Sequence, residues 1–156
     1  MKKAYLITAA MLIFIFVAYP LYRSHQEKVF SCTAHFQSNY NDTYLRAMFR
    51  LTFQGTEGTA SLRGEVKDSQ DKILPLSRVI FFTFSENDQI YKIRSENISR
   101  ENTDRVDDDL LSKLVDSFYL KEDETVQYHA LRQPNGDYIV YNGSLPLIYC
   151  HKNENL

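Results

Sequence analysis

Between Leu45 and Phe53 the chain reads LRAMFRLTF, with Leu45, Ala47, Phe49, Leu51 and Phe53 on every second residue and Arg46 and Arg50 between them. A period of two is the period of a β-strand, whose side chains leave alternately on opposite faces. Wound into a helix, the same residues would scatter around its circumference. The pattern recurs along most of the chain. Phe30, Cys32, Ala34 and Phe36 share one face of an earlier strand; Ala60, Leu62 and Val66 align after the turn GTEG, Gly55 to Gly58. LSRVIFFTF, Leu76 to Phe84, follows DSQDK, and END then leads into QIYKIRS. ETVQYHALRQ and DYIVYNG flank the hairpin signal PNG, Pro134 to Gly136, and LPLIYC closes the series at Cys150. Turns this short join antiparallel neighbours. The 11 tyrosines and 10 phenylalanines, with no tryptophan, fit strands better than helices. The expected fold is α+β and mainly antiparallel β: about seven or eight strands curling toward a barrel, whose interior is filled by side chains or holds one small ligand.

One stretch departs from this period. In DRVDDDLLSKLVDSFYL, Val106, Leu110, Leu111, Leu114, Val115 and Phe118 recur at helical spacing, which predicts an amphipathic helix. Asp107, Asp108 and Asp109 fall at its start, where the helix dipole favours negative charge. Consecutive helical residues point in different directions, so the three are a poor set of cation ligands.

The N-terminus imposes a second constraint. Ala4 to Leu21 is an uncharged run preceded by Lys2 and Lys3. At about 1.5 Å per residue it reaches about 27 Å, close to the hydrocarbon thickness of a bilayer. A cleavable signal would be shorter and end in a small-x-small site, whereas Ala18 has Phe16 before it and Pro20 after it. The expected division is a cytoplasmic tail (1–3), a transmembrane helix (4–21), a linker (22–28) and a periplasmic α+β domain (29–156). The lysine flank orients the N-terminus inward.

Cys32 has two incompatible readings. As a lipid acceptor it should follow the apolar run directly, with a small residue before it. Instead ten residues separate it from Leu21, and the bulky Phe30 lies two positions before it. The chain has 2 cysteines, Cys32 and Cys150, one near each end of the exported part, and an oxidising compartment favours a bridge between them. Two buried free thiols are the alternative.

Other classes of function find little support. The 18 basic and 20 acidic residues give a net charge of -2 without a basic cluster, so direct nucleic-acid binding is not expected. No nucleophile elbow, phosphate loop, zinc spacing or helix-borne histidine pair occurs. No catalytic, metal or cofactor-binding residue is assigned, no cofactor is expected, and the reading is not that of an enzyme. His25, His35, His129 and His151 are scattered. A bridge would, however, bring His35 and His151 to one end of the sheet, on the face opposite the sulfurs, as a candidate pH-sensing pair.

The short tail, the single span, FSCTAHF, GTASLRGEV, SRVIFFTF, DRVDDDLLSKLVDSFYL and LPLIYC together resemble the FidL-like inner-membrane proteins of bacteria. The resemblance covers nearly the whole chain and rests on apolar anchors, two cysteines and spacing. It implies a ToxS-type co-regulator, a signal-anchored partner that binds the periplasmic domain of a ToxR-like, membrane-bound winged-helix transcription regulator and stabilises or modulates it. It also implies a lipocalin-like barrel formed with such a partner and open to a bile-type amphiphile. A stand-alone periplasmic module for a small apolar or amphipathic ligand is the alternative function.

Overall fold

A computed structural model describes residues 29–153, and the expected span and linker lie outside them. Among the described residues no helix is long and apolar enough to cross a membrane. Eight strands, each hydrogen-bonded to its sequence neighbours, run β1 (Val29–Tyr40), β2 (Thr43–Gln54), β3 (Glu57–Lys67), β4 (Ile73–Asn87), β5 (Ile90–Arg100), β6 (Thr125–Arg132), β7 (Tyr138–Asn142) and β8 (Leu145–Lys152). All pairings are antiparallel and β1 meets β8, so the sheet closes into a barrel. Eight strands leave an interior just wide enough for side chains or one small ligand.

The alternation read from the sequence decides which face is inside. On β2 the residues Thr43 through Phe53 alternate between buried and exposed or half-buried, and the buried set contains the apolar run Leu45 to Phe53. Where β1 begins, the barrel is stoppered by aromatic rings: Phe30 stacks on Phe53 at 4.5 Å and on Tyr138 at 4.7 Å, and Phe53 meets Phe84 edge-on at 4.9 Å. Gly58 stands between Phe53 and Phe82 on the neighbouring strands. Without a side chain there, the two rings approach to 5.3 Å across β3, and a Cβ would collide with Phe82.

The opposite end is covered by the crossover from β5 to β6, and here the structure corrects the sequence reading. The expected long helix is one α-turn, α1 (Asp108–Leu111), followed by a 3-10 turn at Ser117–Tyr119. The apolar anchors are buried as the spacing requires, Val106, Leu111, Leu114 and Phe118 all lying in the core. The backbone reaches that result by other means. Asp104 accepts from the amide of Val106 at 2.9 Å, and Asp116 from the amide of Phe118 at 3.0 Å. Short acidic side chains that satisfy nearby amides compete with helical hydrogen bonding and break the segment into turns.

Arg78 pins this cover down. It occupies an inward position on β4, opposite Leu62, and its side chain is 1% exposed. Its guanidinium donates to Asp104 at 3.1 Å, to Asp108 at 2.6 Å and to the carbonyl of Val106 at 2.8 Å. A buried cation costs several kcal/mol unless it is paired and hydrogen-bonded, and here three acceptors from the crossover satisfy it. Asp104→Ala is expected to lower unfolding free energy by about 3 kcal/mol. Arg100→Ala, at a side chain 42% exposed against the same carboxylates, should cost under about 1 kcal/mol. Equal effects in urea titrations would contradict this account.

Cys32 and Cys150 form a disulfide with Cα atoms 5.3 Å apart and 118 residues of sequence separation. Closing a loop of that length in the unfolded chain is worth at most about 4–5 kcal/mol. Cys32→Ser and Cys150→Ser should therefore lower the steady-state level to the same extent, measured by quantitative immunoblotting; strongly unequal effects would show that one thiol has a further role.

The candidate binding cavity and the barrel seam

The seam between β1 and β8 is zipped at one end only. β1 pairs with β2 along its whole length, but with β8 only at Cys32↔Lys152 and Thr33↔His151. Asn153 extends the zip by donating from its backbone amide to the carbonyl of Ser31 at 2.9 Å and from its side chain to Ser31 Oγ at 2.9 Å. Among the described residues, β1 has no partner on this side from Ala34 onward, and the disulfide stands at the point where the strands part.

A cavity of about 360 Å3 opens in this fork, beneath the crossover. Its volume falls in the range of small-molecule sites. Phe36 of β1 and Ile148 of β8 form the two sides of the fork, Phe49 and Leu51 continue the wall on β2, and Leu114 and Val115 roof it from the crossover. Tyr119 and Tyr128 form the floor and separate the cavity from the packed interior. Burial, ahead of the neighbouring Tyr128, pushes the Tyr119 phenol well above its ordinary value; Tyr128 is pushed up to about 12, again mainly by burial. Both phenols are neutral at physiological pH and lie close to each other on the cavity floor. Lys113, Asp116 and Asn142 bring polar groups to an otherwise apolar lining. Asp116 is engaged as the cap of the 3-10 turn.

The sequence brought Cys32 and Cys150 together, and the structure bridges them. His151 lies across the seam from Thr33, and His35 is two residues further along β1; both are exposed. Only His151 has a charged neighbour in hydrogen-bond reach, its Nδ1 lying 3.1 Å from Asp137. His129 lies opposite Tyr141 on the β6–β7 pair, and His25 is outside the described residues. Among the described residues no group of three or more His, Cys, Asp or Glu is placed to hold a metal ion. Reading the sequence missed Tyr119, Tyr128 and Lys113, because inward aromatics look alike whether the space behind them is filled or hollow.

Asp137 ties the zipped end of β8 to the β6–β7 turn. It accepts from the backbone amide of Lys152 at 2.9 Å and from the Tyr149 hydroxyl at 2.9 Å, besides its contact with His151. These donors, the Lys152 amide first, hold its carboxyl below the ordinary 3.8. A depressed carboxyl stabilises the fold above its unfolded value and loses that contribution as pH falls through the folded value. Asp137→Asn should therefore lower the thermal midpoint at pH 7, and the gap from the wild type should narrow as pH drops below 3.8. A gap independent of pH would show that the carboxylate charge is not what matters.

Comparison with known proteins places this architecture. The family described as the YqeJ C-terminal domain matches residues 29–150, from the first residue of β1 to the second cysteine. The uncharacterized protein YqeJ of Escherichia coli (strain K12) is 28% identical over 149 residues, covering 90% of this chain and 92% of that protein. The chain belongs to the YqeJ C-terminal domain family.

Proposed function

We propose that this protein is a co-regulator, anchored in the bacterial inner membrane by residues 4–21 with its barrel in the periplasm, that binds the periplasmic domain of a ToxR-like winged-helix regulator. The observation that supports it is the exposed apolar side chains along β8: Leu145, Leu147 and Tyr149 are 69%, 43% and 41% exposed, with Leu147 at the edge of the cavity. Contiguous exposed apolar surface marks interaction sites. The FidL-like resemblance supplies the class of partner. In this reading the barrel acts on transcription from across the membrane, by binding one state of a membrane-spanning partner better than another.

A second reading is favoured by the cavity: a module that holds a small amphipathic molecule of bile type, its apolar body among Phe36, Phe49 and Ile148. The two readings share β8, whose Leu147 and Ile148 line the cavity.

Co-expression with a ToxR-like winged-helix regulator and recovery of the complex tests the first reading; Leu145→Glu, at a position outside the cavity lining, should sharply reduce recovery while the barrel stays folded. Retention of the complex would exclude this face. Calorimetric titration with deoxycholate tests the second, with Val115→Trp, which fills the cavity, expected to remove binding. Undiminished binding to that variant would place the ligand elsewhere.

A further inference from the structure

We propose that the outer wall of the barrel at Phe81 is a site for a guanidinium group, the side chain of an arginine residue in a partner protein. The site is independent of the co-regulator and cavity readings, since β4 lies four strands from β8 around the closed sheet. The pairing of β4 with β5 is interrupted here: Phe82 pairs with Ser95 and Phe81 with Asn97, which leaves Glu96 as an extra, unopposed residue. A bulge of this kind re-aims side chains, and bulges are over-represented beside active sites. Around it an open groove of about 520 Å3 crosses β2 to β5, with Gly58 and Phe82 beneath.

Phe82 packs against Phe53 and Phe118 inside the barrel, while Phe81 points the other way and is 45% exposed. Its cross-strand neighbours are Thr59 and Asn97, so no ring flanks it on either side. A single exposed ring needs no explanation. This one stands in a groove whose lining carries two carboxylates, Glu57 and Glu96, and no lysine or arginine. Glu57 lies opposite Thr83, and the Thr83 hydroxyl donates to Glu96 at 2.8 Å, so the carboxylates flank Thr83 from the two neighbouring strands. Among the described residues neither carboxylate forms an ion pair. Arg94, opposite Thr83 on β5, is held by Asp123 at 2.8 Å.

An open ring beside two carboxylates favours a cation over a neutral or anionic group, through the ring's negative face and through charge-assisted hydrogen bonds. Of the cations a protein presents, guanidinium matches this groove best. It is planar and stacks on an aromatic face, its fork meets a carboxylate, and it is more weakly hydrated than an ammonium, so it leaves water at less cost. Free arginine is disfavoured, because its α-carboxylate would stand near Glu57 and Glu96 with no basic group in the lining to receive it. Within a polypeptide that carboxyl is an amide. Charge complementarity therefore commits the groove to an arginine residue of a protein.

The test titrates the full chain, isotope-labelled in nanodiscs, with N-acetyl-arginine N-methylamide and follows backbone amide shifts by NMR. The shifts should centre on Glu57, Phe81 and Glu96 and saturate in the millimolar range, as a stacking contact and a surface ion pair together allow. The lysine derivative should bind several-fold more weakly, and the citrulline derivative, of the same shape without the charge, should not saturate. Phe81→Leu keeps apolar bulk and loses the ring, so it should weaken binding about two- to fivefold. Glu57→Gln with Glu96→Gln should abolish saturation. All three side chains are exposed, so both variants should keep the wild-type thermal midpoint. Equal binding of the citrulline or lysine derivative, shifts centred elsewhere, unchanged affinity in Phe81→Leu, or free arginine binding as tightly as the capped form would each overturn the proposal. None of these substitutions touches β8 or the cavity lining, so failure here leaves the co-regulator and cavity readings to their own tests.

Discussion

The barrel depends on a closure made over three residues. Ser31, Cys32 and Thr33 meet His151, Lys152 and Asn153 through strand pairing, the Asn153 hydrogen bonds and the disulfide two residues along β8. The other pairs join sequence neighbours, all through short turns except β5 and β6, which the crossover connects. Antiparallel pairs of that kind form locally, while β1 and β8 must find each other across the whole domain, at a large cost in loop-closure entropy. The cross-link removes part of that cost from the folding balance, which is why it stands at the seam and not inside a hairpin.

Fixing the seam at one end has a structural consequence at the other. Beyond the disulfide, β1 and β8 part, and the side chains that would have filled the gap instead line a cavity. The crossover roofs it because Arg78 draws Asp104, Asp108 and the Val106 carbonyl inward. Cavity, free strand edge and exposed β8 face are therefore three aspects of one incomplete closure. A ligand touching Ile148 and a partner touching Tyr149 would bind the same strand from opposite faces, and such shared elements are what couple two sites energetically.

Much of this was legible in the sequence. Alternation along Leu45 to Phe53 and its repeats identified the strands and their inner faces, turn residues set antiparallel order, and two cysteines near the ends of the strand-rich part pointed to the bridge. The long helix was misread because spacing records which residues are buried, not how the backbone buries them; the carboxylates of Asp104 and Asp116 decide that locally. Arg78 escaped notice because its main partner, Asp104, is 26 residues away. The fork was invisible for the same reason on a larger scale. Nothing in AHFQSNY or LPLIYC states that the two strands pair for two residues and then separate.

Residue-resolved amide hydrogen exchange along β1 tests the incomplete seam most directly. Pairing on the β2 side alone predicts an alternating pattern from Ala34 to Tyr40, in which amides facing β2 are protected and those facing β8 exchange rapidly, with protection on both sides confined to the zipped residues near Cys32. Uniform protection along the whole of β1 would mean that β8 pairs with it throughout, and would contradict the fork on which the cavity depends.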